Sequence, residues 1–244
     1  MAPIKETNIL VVGGTSGIGY GVARRCLVEG ANVHIASSNV SRVSESIDSL
    51  KQLFPDAHVT GHVCDLGGQD VEKRLEKLLT TVRPLDHLVF TAGDNISIKS
   101  LKDIDLDTIH RAGHVRFFVP LLLGKLAPRF LRPGFRSSFT LTTGSLSEKP
   151  LPNWSLVAGY ATGLHGMTRS MALDLKPLRV NLVSLGAVET PLWGPKGVPT
   201  GAERSTTLGK VGTIDEVAEA YVYFMKDTNA TGSVISTNGG ALLL

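Results

Sequence analysis

A glycine-rich segment near the start of the chain most constrains its fold. The apolar run Asn8–Val12 leads into Gly13–Gly19, which reads GGTSGIG, and an amphipathic segment, Ile18–Glu29, follows. A strand, a glycine turn and a helix in this order predict a dinucleotide-binding turn, because backbone N–H groups and the helix N-terminus can face a pyrophosphate. The predicted phosphate-binding residues are Gly13, Thr15, Ser16, Gly17, Ile18 and Gly19. A turn without a ligand is the alternative that this segment alone leaves open.

The composition is typical of a globular protein. The 244 residues suffice for one large α/β domain spanning 1–244, with 42% hydrophobic and 19% charged residues. A formal net charge of +3, with scattered basic residues, gives no indication of a nucleic-acid partner. No apolar run approaches the roughly 18 residues of a membrane span. Cys26 and Cys64 lie in apolar surroundings without metal-ligand spacing, and no leader precedes the first strand, so we expect a cytoplasmic protein without a metal site.

Strand-like and helix-like segments alternate along the chain. The predicted strands are Asn8–Val12, Asn32–Ala36, His58–Val63, His87–Phe90, Ser138–Thr142, Arg179–Leu185 and Ser233–Ser236. The later predicted helices are Leu106–Phe130 with a kink at Pro120, Ser155–Leu175, and Ile214–Met225 with a capping box of Thr213 and Glu216. This alternation predicts a single-domain α/β fold of the Rossmann type, a doubly wound parallel sheet of about seven strands. A ligand would bind at the carboxyl ends of those strands.

Further motifs lie at or near the ends of the predicted strands, and one of them opens the sixth strand. They are Asp65-Leu66, Thr91-Ala92-Gly93, Ser145, Arg179-Val180-Asn181, Gly186–Pro191 and Asn238-Gly239-Gly240. In this order, and together with the glycine turn, they make the chain similar to the short-chain dehydrogenase/reductases from end to end. The resemblance implies a bound nicotinamide dinucleotide, with Asp65 and Leu66 at the adenine. It also places Ala92 and Gly93 beside a ribose, and Val188 and Thr190 at the carboxamide. A helix N-cap for Asp65 and a plain turn for Thr190 stay open as alternatives.

The end of the second predicted strand favours NADP(H) over NAD(H). An NAD enzyme usually places Asp or Glu there for the ribose 2′-hydroxyl, whereas this chain has Ser37 and Ser38. Their hydroxyls can donate to a 2′-phosphate, and Arg42, one turn into the next helix, can approach it as a cation. A solvated charge on the helix face is the alternative for Arg42.

The proton-transfer residues are where the sequence departs from the family. The resemblance implies a Tyr as acid, a Lys four residues later, a Ser that orients the carbonyl, and an Asn in the long helix. Counting back from the matching segments puts the Tyr position at Val157 and the Lys position at Ala161. The Asn position falls at Gly113 or His114. Ser145 alone is retained.

The missing acid limits the kinds of substrate that the chain could reduce. Tyr160 lies about one turn beyond Val157 and is the candidate substitute donor, with a packed aromatic residue as the alternative. Reduction of a ketone needs an acid, whereas reduction of an iminium ion needs only hydride delivery and orientation. The sequence therefore favours an NADPH-dependent oxidoreductase that acts on an iminium or a similarly activated acceptor. A cofactor-bound isomerase or pericyclase without net redox change, and an NADP(H)-binding pseudoenzyme, stay open.

Two residues resemble one fungal branch of the family, the reductase/Diels–Alderase proteins of prenylated indole-alkaloid biosynthesis. They are Arg116 in the long helix and Trp154 before the next one. The resemblance implies that Arg116 contacts the nicotinamide ribose and Trp154 packs on a polycyclic substrate; a salt bridge and core packing are the alternatives. Catalytic candidates are therefore Ser145, Arg116 and Tyr160, and substrate-binding candidates are Leu151, Asn153, Trp154, Val157 and Trp193. We also expect a homodimer or homotetramer.

Overall fold

Seven parallel strands form one sheet in the order β3-β2-β1-β4-β5-β6-β7. They are β1 (Asn8–Val12), β2 (Asn32–Ser37), β3 (Val59–Val63), β4 (His87–Phe90), β5 (Ser138–Gly144), β6 (Arg179–Leu185) and β7 (Val234–Thr237). The computed structural model describes residues 1–244. Every predicted strand is present, and since all six pairings are parallel, the carboxyl ends of all seven strands lie at one edge.

Helices cover both faces of this sheet. They are α1 (Gly17–Val28), α2 (Val40–Leu53), α3 (Val71–Val82), α4 (Leu106–Gly113), α5 (Val119–Leu126), α6 (Ser155–Asp174) and α7 (Ile214–Lys226). Helices α1, α2 and α7 pack over one apolar cluster, whereas α3, α5 and α6 pack over a second cluster on the opposite face. This arrangement confirms the predicted doubly wound α/β fold. None of the helices is long and apolar enough to cross a bilayer.

Local sequence explains these elements. Strands β4 and β6 are buried at every residue, because helices on both faces exclude water from them. Helix α3 buries Val71, Leu75, Leu78, Leu79 and Val82, which recur at helical spacing. The capping box of α7 is present as predicted: Thr213 N donates to the Glu216 carboxylate at 2.9 Å, and Glu216 N donates to the Thr213 hydroxyl.

The prediction of one long helix over 106–130 is wrong in its middle. Helix α4 ends at Gly113, and a π-helical turn, His114–Phe118, separates it from α5. In this π turn Val119 N donates to the carbonyl of His114, five residues back. Pro120 lacks the N–H that would continue the regular helix from Arg116, so the wider turn absorbs the missing hydrogen bond.

Candidate cofactor and active site

The glycine-rich turn after β1 leaves a row of backbone donors open. None of the N–H groups from Thr15 to Gly19 makes a hydrogen bond within the chain, and Ser16, the N-cap of α1, places no side-chain cap on them. Ser46 of α2 fixes the turn by donating to the carbonyl of Thr15 at 2.9 Å. Open N–H groups at a helix N-terminus carry partial positive charge, so the turn fits a pyrophosphate group.

Close contacts explain why this turn needs glycine. At Gly13, where φ is +89°, a Cβ atom would lie 2.5 Å from the backbone nitrogen of Ala92. At Gly17, where φ is +51°, it would lie 3.3 Å from the Thr190 side chain. The turn thus packs against the loop after β4 and faces the loop after β6. The structure therefore brings Gly13, Gly17, Ala92 and Thr190 together, as predicted for one cofactor groove.

The loop after β3 holds the predicted adenine contacts. Asp65 is exposed, and its Oδ1 accepts a hydrogen bond from Gly67 N at 2.9 Å, while the Leu66 side chain is buried. Helix α3 begins only at Val71, with Asp70 before it, so Asp65 is not a helix N-cap. That alternative is thereby removed.

The end of β2 presents polar groups without partners. Ser37 is half-buried and Ser38 exposed, and neither hydroxyl makes a hydrogen bond within the chain. Asn39 caps α2 by accepting from Arg42 N at 2.8 Å. The exposed Arg42 guanidinium makes no ion pair. Two free hydroxyls at the strand end, with an unpaired cationic side chain on the first turn of the next helix, fit a phosphate monoester.

In the loop after β6, the Val188 N–H has no partner within the chain, whereas the Val188 carbonyl already accepts one hydrogen bond. Val188 is buried, and its N–H makes no hydrogen bond within the chain. Its carbonyl accepts from the indole Nε1 of Trp193 at 2.8 Å. The Val188 carbonyl has two lone pairs and can accept a second hydrogen bond, so the contact of both Val188 backbone groups with a carboxamide stays a prediction. The hydrogen bond from Nε1 holds the Trp193 indole against the loop after β6. Its predicted contact with substrate stays a prediction.

Ser145 and α6 carry the residues predicted to face the substrate. Ser145 begins a 3₁₀ turn directly after β5, and its hydroxyl makes no hydrogen bond within the chain. Thr143 Oγ1 donates to the carbonyl of Ala161 at 3.0 Å and thereby ties β5 to α6. Val157 is buried on α6. Ser145 thus offers one hydroxyl without a partner in the chain, and the Tyr position carries the apolar Val157.

Comparison with known proteins assigns the chain to a family. Residues 2–244 match the family model of the SDR-like Rossmann domain. The chain is a short-chain dehydrogenase/reductase. It is 39% identical to the short-chain dehydrogenase/reductase ATR9 of Stachybotrys chlorohalonatus, with 100% of both chains covered. The solved structure of the MalC reductase/Diels–Alderase from Malbranchea aurantiaca is also 39% identical, covers 99% of this chain and 98% of its own, and superposes with a TM-score of 0.93.

A third relative contains a cofactor. The crystal structure of a small-chain dehydrogenase in complex with NADPH is 28% identical, covers 98% of this chain and 100% of its own, and gives a TM-score of 0.77. The predicted family, and the predicted similarity to a fungal reductase/Diels–Alderase, are thus confirmed.

This short-chain dehydrogenase/reductase does not offer Tyr160 as a free acid. The Tyr160 hydroxyl donates to the carbonyl of Ile109 at 3.0 Å, and its ring packs on Phe117 and Phe118 with centroids 5.3 and 5.9 Å away. Burial raises the pKa of the phenol. These contacts favour the alternative given for Tyr160, a packed aromatic residue, over the predicted proton donor. A general acid works best with a pKa near the operating pH, and burial moves the pKa of this phenol away from it.

The contacts of Arg116 agree with both of its predicted roles, a contact with the ribose loop and a salt bridge. Its Nε atom pairs with Asp94 Oδ1 at 3.0 Å, which is the salt bridge given as the alternative. The guanidinium also covers Gly93, where a Cβ atom would lie 2.9 Å from Nη1. Arg116 thus sits directly on the predicted ribose loop while paired with Asp94.

The substrate candidates form the segment that leads into α6. Trp154 is the half-buried N-cap of that helix, so it is not a core residue. Asn153 adopts a positive φ of 65°, and Leu151 is 46% exposed. Their exposure leaves Leu151, Asn153 and Trp154 accessible to a ligand at this edge of the sheet.

Sequence reasoning missed two contacts to the loop after β3. His114 and Arg74 both donate to backbone carbonyls of that loop. A polar histidine within the helical stretch 106–126 was the available signal for the first. Nothing in the sequence marked Arg74, which lies among other charged residues of α3.

Proposed function

We propose that this chain is an NADP(H)-dependent reductase of specialised metabolism that reduces an iminium or similarly activated acceptor in a bulky polycyclic substrate. The observation that carries the proposal is a complete set of cofactor loops beside a site with Val157 and Ala161 at the Tyr and Lys positions. Similarity to the MalC reductase/Diels–Alderase supports the same assignment.

NADPH, when bound, supplies a hydride. The open N–H groups of Thr15 to Gly19 would hold its pyrophosphate, and Asp65 would accept from the adenine amino group. Ser37, Ser38 and Arg42 would hold the 2′-phosphate. The N–H of Val188 and the hydroxyl of Thr190 would orient the carboxamide.

The rest of the site suits a cationic acceptor. Adding hydride to an iminium ion gives a neutral amine, so no proton has to be transferred and a missing acid costs nothing. The Ser145 hydroxyl can donate to a heteroatom of the substrate. Trp154 offers an aromatic face, and the buried Val157 closes the apolar wall.

A cofactor-bound pericyclase is a second candidate. It is favoured by the 39% identity to a protein described as both a reductase and a Diels–Alderase. In this role the protein would orient two parts of one substrate, with the dinucleotide as a wall of the pocket. The segment Leu151-Pro152-Asn153 carries no carboxylate, so any acid or base would come from another element.

Substrate turnover with labelled cofactor separates these functions. NADPH deuterated at nicotinamide C4 is mixed with a polycyclic iminium and, in parallel, with the matched ketone. We expect deuterium in the iminium product, measured by mass spectrometry, and turnover of the ketone at least 100-fold slower, since general acid catalysis is worth about 10²–10⁴-fold. Cyclised product without deuterium would favour the pericyclase. Bound NADPH with no product from either compound would overturn both enzymatic functions.

A further inference from the structure

Three successive carbonyls in the loop after β3 are each held by a side chain from a helix. The carbonyl of Asp65 accepts from Arg74 Nε at 2.7 Å, and the carbonyl of Leu66 accepts from His114 Nε2 at 2.8 Å. The carbonyl of Gly67 accepts from Arg74 Nη2. The backbone of residues 65–67, which we call the clamped loop, is therefore fixed at every residue.

The two donors come from different elements. Arg74 lies on α3, makes no ion pair, and uses its guanidinium for this loop alone. His114 is the first residue of the π turn, and Arg116, two residues later, contacts Asp94 and covers Gly93. One π turn thus contacts both the clamped loop and the loop after β4.

The chemistry of these contacts is specific. A carbonyl can only accept, so His114 Nε2 carries the proton and the ring tautomer is set by Leu66. The clamped loop ends at Gly67 and is followed by Gly68, which has a φ of +70°, and two adjacent glycines leave the backbone many alternative conformations. The donated hydrogen bonds restrict these conformations and keep the Asp65 carboxylate and the Leu66 side chain in one orientation.

We propose that His114 and Arg74 are positioning residues that hold the clamped loop in the conformation that binds the adenine half of the cofactor. The inference rests on the proposed NADP(H) function and extends it to two residues outside the predicted site. Because a preformed loop loses less entropy when a ligand binds, loss of either donor weakens the adenine contacts without removing a ligand-contacting group.

The test compares His114→Leu, His114→Asn and His114→Gln. Calorimetry gives Kd for NADPH and for 2′,5′-ADP, which contains the adenine half alone. We expect Kd about five- to tenfold higher for both ligands in the Leu variant, the usual effect of one lost hydrogen bond. The longer Gln amide can reach the Leu66 carbonyl and should restore Kd to within about twofold, whereas Asn is too short and should behave like Leu. If His114→Leu does not fold, the Asn and Gln pair still decides the question.

Variants of Arg74 test the inference independently, with Lys73 as the matched control position. Arg74→Met should raise both Kd values and speed backbone hydrogen exchange over residues 65–68. Lys73→Met removes the neighbouring charge, which contacts only Asp70, and should change neither. Equal losses in the Leu, Asn and Gln variants, or unchanged Kd in Arg74→Met, would overturn the inference. Absence of NADPH binding by the unaltered protein would instead overturn the proposed function.

Discussion

Val157 and Ala161 leave the site without the Tyr hydroxyl and the Lys ammonium that the family usually has at these positions. Neither side chain can donate a proton, and neither can lower the pKa of a neighbouring phenol. The hydroxyl of Tyr160 already donates to the carbonyl of Ile109, which disfavours it as a substitute acid. For the reductase proposed above, the sources of rate enhancement at the residue scale are therefore substrate orientation and hydride delivery.

Cofactor selection is testable at Ser37. The variant Ser37→Asp places a carboxylate beside the predicted 2′-phosphate, where like charges repel. Partial exposure of this position reduces the effect, so we expect Kd for NADPH to rise about tenfold in a fluorescence titration. NADH serves as the internal control and should bind as well as before or better. Equal weakening of both dinucleotides would contradict the assignment.

Substrate binding is testable at Trp154. An aromatic stacking contact contributes about 0.5–1.5 kcal/mol beyond the area buried, so Trp154→Ala should raise the Kd of a polycyclic iminium roughly tenfold. NADPH affinity should stay nearly unchanged, since Trp154 lies outside the cofactor loops. Loss of both affinities, or of the fold, would show that Trp154 has a structural role.

Among the elements, the segment 106–130 was predictable in part. Apolar periodicity predicts that the segment is helical, and Pro120 predicts an irregularity. The pattern could not show that the irregularity is a π turn that begins at His114, because the residues that contact this turn, Leu66 and Asp94, lie far away in the sequence. The strands, by contrast, are local apolar runs, and their ends were predictable to within two residues.

The pairing of β2 with β3 gives the fold a dependence on pH. His34 Nδ1 and His62 Nε2 lie 3.2 Å apart on neighbouring strands. Burial first, and then the charge of His62, lowers the pKa of His34 to about 4, and burial lowers the pKa of His62. Both folded-state values lie below the ordinary value of 6.5, so the unfolded chain takes up protons first as the pH falls.

This stability is fully present above about pH 6.5 and is lost as the pH falls towards 4. Both histidines are partly exposed, which reduces the effect. We therefore expect the free energy of unfolding to fall by on the order of 1 kcal/mol between pH 7 and pH 5, which urea unfolding at the two pH values measures. The variant His34→Gln should show a smaller loss. An identical loss in the variant would assign the pH dependence to other groups, of which the buried His87, with its pKa lowered to about 3, is the first to examine.

Across the whole molecule, the strand order collects every cofactor loop at one edge of the sheet. Dinucleotide binding should therefore stabilise the entire fold. At a concentration 100 times Kd, NADPH adds about 2.7 kcal/mol, which for a chain of this size raises Tm by about 5–10 °C. The same concentration of NADH should give a smaller rise in a thermal shift assay. Equal shifts would contradict the preference for NADP(H).

Most of the predicted cofactor loops precede the helix that carries the position of the missing acid. The glycine-rich turn and the loops after β2 and β3 come from the first third, whereas Val157 and Ala161 project from α6, beyond residue 150. A substitution on α6 therefore alters the position of the missing acid without changing any residue of these loops. We expect such a variant to change the reaction while it continues to fold and to bind its dinucleotide.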